Sequence, residues 1–243
     1  VPRNICLSFS GFSEPWLNPE CTDMVLEAKK MSFPIRVNTT LVGLKPEDVE
    51  RLRQVPFLKF VVHLPDNRSK TRIRVDDTYR EVVKILAGKP LQNLYWKFHK
   101  TDPEMDIHPE VLPLLKPQKK RMLFTGLNNR AGQVDSGNEL RLPNRGKTLR
   151  PCQDFHHNIL LPNGEVALCH MDWSLRHILG NLLNQTYEDL YQGSEFKKIQ
   201  QALHNEQEDL LCRDCEKDII KRSLLQEGLS VLIKKVKGYR EPY

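Results

Sequence analysis

Along the first hundred residues, short apolar runs alternate with segments in which apolar side chains recur every three or four positions. Residues 5–9, 35–38 and 58–63 read as strands. Residues 20–30 set Met24, Val25 and Ala28 on one helical face, and residues 77–87 form another amphipathic helix. Lys45-Pro46-Glu47-Asp48 opens a further helix, with proline early and acids in the first turn, where the helix dipole favours them. This alternation predicts parallel strands joined by right-handed crossovers, an α/β fold.

From residue 101 to 150 the pattern breaks. Pro103, Pro109, Pro113, Pro117 and Pro143 punctuate it, followed closely by Gly126, Gly132, Gly137 and Gly146. This reads as connector and loop with one strand at residues 122–124. A domain boundary near Leu149 divides the chain into residues 1–149 and 150–243. No internal repeat is visible.

Composition changes this picture little. Hydrophobic residues make up 39% and charged residues 28%, as in globular proteins generally. No run approaches the roughly 18 apolar residues of a membrane helix, and no signal peptide is visible, so the default expectation is a cytoplasmic protein. The net charge of +6 comes from 37 basic and 31 acidic residues that are interspersed, with local clusters only at Lys119-Lys120-Arg121 and Lys234-Lys235. That distribution favours a solvated surface over a nucleic-acid groove.

The candidate chemistry lies in four cysteines. Cys152 is followed by eleven residues, Gly164, four more residues and Cys169; Cys212 and Cys215 come later as a Cys-x-x-Cys pair. Asn163-Gly164 signals a hairpin between residues 158–161 and 165–168, which brings Cys152 and Cys169 to one end of the structure. The second pair can place both sulfurs on one ion or cluster. Disulfides are disfavoured in a chain without an export signal. The spacing by itself leaves zinc and an iron–sulfur cluster equally open. His156, His157 and His170 stand close enough to tune such a site through hydrogen bonds, or are surface histidines.

Further residues carry a family resemblance. The order Cys152…Asn163-Gly164-Glu165-Val166…Cys169-His170-Met171-Asp172, Leu179-Gly180-Asn181-Leu182, Tyr187-Glu188-Asp189-Leu190-Tyr191…Phe196 and Leu211-Cys212-Arg213-Asp214-Cys215 resembles a SPASM domain. That domain is the C-terminal extension of many radical S-adenosylmethionine (radical SAM) enzymes. The resemblance implies that Cys152, Cys169, Cys212 and Cys215 hold one auxiliary 4Fe–4S cluster. The longer form of the domain has three more cysteines; none follows Cys215, so a second auxiliary cluster is not expected.

The front half is similar to the barrel of the same enzymes. The run Ile5-Cys6-Leu7-Ser8-Phe9-Ser10-Gly11-Phe12-Ser13-Glu14-Pro15 resembles the second strand and its Gly-Gly-Glu-Pro loop, with Ser13 where the family usually has Gly. The resemblance gives Glu14 a contact to the amino group of S-adenosylmethionine, with Gly11 and Ser13 lining the approach. Small residues admit the ligand to the backbone, and a carboxylate pairs with an ammonium. Ile35-Arg36-Val37-Asn38-Thr39 resembles the third strand, with Asn38 or Thr39 facing the cofactor. His63, near the end of a fourth strand, and Arg130 are weaker candidates for substrate contacts.

The family's Cys-x3-Cys-x2-Cys loop, which binds the catalytic cluster, has no counterpart here: Cys6 and Cys21 are separated by fourteen residues. The expectation is therefore an N-terminally truncated enzyme, an incomplete barrel without its first strand and cluster loop, inactive as given and without a catalytic residue of its own. The complete protein would use S-adenosylmethionine, a second, catalytic 4Fe–4S cluster, an electron donor and a peptide or small-molecule substrate that the sequence does not identify. The alternative is a non-catalytic four-cysteine zinc or iron–sulfur module binding an acidic partner. Residues 219–236 read as a terminal helix packed on its own domain.

Overall fold

The computed structural model describes residues 5–101, 103–115, 122–125, 129–134, 149, 151–205 and 207–215. The expected C-terminal helix, the lysine clusters and much of the 101–150 connector lie outside them.

Five strands, β1 (Leu7–Phe9), β2 (Ile35–Thr39), β3 (Lys59–His63), β4 (Leu94–His99) and β5 (Met122–Thr125), form one sheet in sequential order. Every neighbouring pair is parallel. Helices α1 (Cys21–Lys30), α2 (Pro46–Leu52) and α3 (Asp77–Gly88) fill the first three crossovers. Sequential order means that the chain never reverses its winding, so the sheet curls like part of a barrel.

The two faces of the sheet differ as that geometry requires. Ile35, Val37, Phe60, Val62, Leu94, Trp96 and Phe98 are buried in one core with Val25, Val49, Leu52, Val82, Val83 and Leu86 of the helices. The alternate positions Arg36, Asn38, Lys59, His63, Tyr95, Lys97 and His99 are only half-buried and form the opposite face. Strand β4 alternates buried and half-buried residues along its whole length. Its Leu-Tyr-Trp-Lys-Phe-His sequence carries that period of two, a signal the sequence reading passed over.

Local signals fix the helix starts. The Asp76 carboxylate accepts the Tyr79 N–H at 2.9 Å and caps α3. Pro46 occupies the first turn of α2, and Asp48 accepts the Lys45 N–H.

The second unit contains β6 (Ile159–Leu160), β7 (Glu165–Ala167) and β8 (Ile178–Asn181), an antiparallel sheet in that order, with α4 (Tyr187–Leu190) and α5 (Ser194–His204). The hairpin stands where expected but turns differently. Gly164 N–H donates to the Leu161 carbonyl at 2.9 Å, so Pro162 and Asn163 are the central turn residues. Of Asn163 and Gly164, Gly164 alone has positive φ, 84°. A two-residue Asn-Gly turn needs positive φ at both. Proline's fixed φ favours the first central position instead, with the glycine following as a bulge. The core of this unit includes Ala131 and Leu149, which precede the expected boundary.

Gly43 shows a constraint of a different kind. Its φ is 85°, and a Cβ there would lie 2.3 Å from the Trp16 carbonyl oxygen. The G43A substitution is expected to destabilise the protein by about 2 kcal/mol or more, read as a lower urea midpoint at unchanged slope.

Candidate metal centre

Cys152 immediately precedes a 3₁₀ turn, Gln153–His156, and Cys169 follows β7. Cys212 sits in a second 3₁₀ turn, Leu211–Arg213, and Cys215 lies just beyond it. All four line one cavity together with Asp154, Phe155, Leu168, Met171 and Leu211. The remaining sequence cysteines stand apart: Cys21 is in the barrel core and Cys6 precedes β1.

Buried polar residues hold the thiol-bearing loops. The Asp172 carboxylate accepts the Arg176 N–H at 3.0 Å and the His177 N–H at 2.8 Å, folding the segment after Cys169 back on itself. Leu211 N–H donates to His177 Nε2 at 3.5 Å, so the ring proton is on Nδ1, 2.8 Å from Glu195 Oε1. His177 thus ties the Cys212 turn to α5. Arg213 donates to the carbonyls of Ala202, Asn205 and Glu208 at 2.7–2.8 Å, fixing the Cys-x-x-Cys turn to the end of that helix. None of these three stood out in the sequence as scaffold, because each acts through partners far along the chain.

The cavity is hostile to thiolates. Burial raises Cys169 to about 12, and proximity to Cys215 and Cys152 pushes in the same direction. Cys212 is raised by burial first, then by Cys169, Cys152 and Cys215. Burial also raises Cys152. A bound cation reverses this balance, because thiolates are then paired rather than stranded. Four thiols around one cavity are a donor set that either a single zinc ion or an iron–sulfur cluster can take.

Residues 152–216 match the model of a protein family described as an iron–sulfur cluster-binding domain, SPASM. Residues 152–216 thus carry the sequence pattern of a SPASM domain. In overall fold the chain is similar to BtrN, solved in complex with AdoMet and 2-DOIA, at 17% identity and a TM-score of 0.57, covering 87% of this chain and 72% of that one. A second BtrN structure, in an open conformation, aligns at 14% identity and a TM-score of 0.48, covering 87% and 71%. No curated protein matches the chain in sequence. The likeness to BtrN is one of fold: a parallel five-stranded sheet followed by a small antiparallel unit.

The barrel-side candidates fall in two groups. Glu14 is a clamp: Oε1 accepts the Thr39 hydroxyl at 2.6 Å and the Trp16 N–H at 3.3 Å. Oε2 accepts the Thr40 N–H at 2.5 Å and the Thr40 hydroxyl at 2.7 Å. These four donors occupy the acceptor sites of a carboxylate and lock the loop after β1 to the end of β2. Gly11, with φ of 130°, rests beside Ile159 of the SPASM hairpin, while Ser13 is exposed. Asn38 is on the half-buried face, in register with Val61.

Further along that face, His63 Nδ1 is 2.9 Å from His99 Nε2. Burial, then Lys97, His99 and Arg130, hold His63 down to about 3, so its ring is neutral near pH 7. Arg130 reaches the SPASM domain, donating to the His170 carbonyl at 2.9 Å and stacking 4.8 Å over Trp173. Of the flanking histidines, His157 pairs with Asp154, and His156 packs on Phe155 and Tyr191.

The raised thiols make a pH prediction. The metal-free folded domain holds protons that the unfolded chain releases near pH 8.5. Stability is therefore full below that pH and falls as pH rises towards the folded value of about 12 at Cys169. Thermal unfolding of metal-free protein is expected to show this fall, and C169S should flatten it.

Proposed function

We infer that this chain belongs to a radical SAM enzyme acting on a peptide or small molecule, with one auxiliary 4Fe–4S cluster held by Cys152, Cys169, Cys212 and Cys215. The observation that carries this reading is the convergence of four thiols, Cys169 buried and the other three half-buried, on one cavity within the stretch that matches the iron–sulfur cluster-binding family. Residues 1–149 supply the barrel and connector, and residues 150–243 the cluster domain.

S-adenosylmethionine and a catalytic cluster, when bound, would supply the radical chemistry needed for hydrogen abstraction from substrate. The chain's own residues bind and orient. The carboxylate of Glu14 is fully engaged, so it acts on the ligand by shaping its loop; Gly11, Ser13 and Asn38 then offer backbone and amide groups at the ends of β1 and β2. Ligands of parallel sheets collect at these strand ends. His63, His99 and Arg130 extend the same face towards the SPASM domain and provide polar contacts for substrate.

Residues 1–243 contain no Cys-x3-Cys-x2-Cys sequence. Cleavage of S-adenosylmethionine by these residues alone is therefore not expected, and any catalytic cluster would draw on cysteines outside them. Reading the coding sequence upstream of Val1 tests this directly. An in-frame Cys-x3-Cys-x2-Cys supports the enzyme reading, and a start codon at that point removes it.

Anaerobic reconstitution of the chain is expected to give four irons and four sulfides, with broad absorption near 400 nm. C152A, C169A, C212A and C215A should each lose most of that absorption. One zinc and no sulfide per chain would instead support the zinc module.

A further inference from the structure

Beside the cluster cavity, three metal-ligating side chains meet that no part of the proposed chemistry uses. Asp154 and His157 are three residues apart across a 3₁₀ turn, where side chains at that spacing eclipse. His157 Nδ1 is 2.9 Å from Asp154 Oδ1. His170 arrives from a separate segment, the residue after Cys169, and places Nε2 4.0 Å from Asp154 Oδ2. One ligand atom from each residue lies within 4.8 Å of the other two.

We propose that Asp154, His157 and His170 form a second metal site, for a divalent first-row transition ion of the zinc class. Two imidazoles and one carboxylate are a donor set that such ions take, with open positions left for water. Exposure is graded across the site. The side chains of Asp154 and His170 are 14% and 27% exposed, whereas His157 is 58% exposed, leaving an entry path on its side. On binding, the Nδ1 proton that His157 donates to Asp154 is released to solvent or replaced by the Nε2–H tautomer, and the freed Nδ1 lone pair and the carboxylate oxygens turn onto the ion. The Arg130 hydrogen bond to the His170 carbonyl holds that ligand's backbone in place. Because Asp154 also lines the cluster cavity, the ion would sit directly beside the cluster.

The test is equilibrium dialysis of the reconstituted full chain against buffered zinc, with zinc and iron counted per chain. The expected result is one zinc in addition to the iron, with H157Q and H170Q each weakening zinc binding at least tenfold while iron content and melting temperature hold. H157Q alters an exposed side chain and keeps a hydrogen-bonding group beside Asp154, so it should fold. No zinc beyond the iron, or equal zinc retention by both variants, overturns the proposal. Zinc captured by the four thiols in a chain that fails to load iron would not respond to H157Q, so failure of the cluster assignment is separately visible.

Discussion

Four thiols lining one cavity do not ionise easily together. Burial raises Cys152, Cys169 and Cys212, and each thiolate would repel the next at low effective dielectric. The SPASM domain therefore has two consistent states: a metal-free one with protonated thiols and a loaded one in which cations pair the thiolates. Much of the rest of the domain serves to keep this arrangement assembled. His177, Arg213 and Asp172, all buried themselves, do so with hydrogen bonds to backbone groups and to the half-buried Glu195 carboxylate. Such bonds hold a position firmly, because breaking one leaves a buried donor or acceptor unsatisfied.

The barrel meets this domain along the ends of its strands. The loop after β1 rests against the SPASM hairpin through Gly11 and Ile159, and Arg130 extends from beyond β5 to His170 and Trp173. These contacts, and the half-buried face that carries Asn38, His63 and His99, are where the two units approach each other or expose polar side chains.

Glu14 illustrates how tertiary contacts use a loop carboxylate. The sequence places an acid in the expected loop. The fold gives its carboxylate four donors from Trp16, Thr39 and Thr40. An acceptor so fully used contributes geometry: it fixes the loop whose backbone faces the strand ends.

Local chemistry was legible in the sequence wherever a few neighbouring residues decide it. The strand–helix alternation, the helix start at Pro46, the hairpin position and the ordered cysteines all follow from side-chain periodicity, fixed φ or close spacing. The β4 alternation was there too, in six residues, but its helix-facing half is defined only once α3 covers it. What the tertiary structure alone decided was distance between residues far apart in the chain: the convergence of the four cysteines on one cavity, the saturation of Glu14, the His63–His99 pair and the meeting of His170 with Asp154. Sequence spacing constrains a separation only within a turn or a hairpin. Beyond that, packing of the two cores sets which side chains meet, and with them the chemistry.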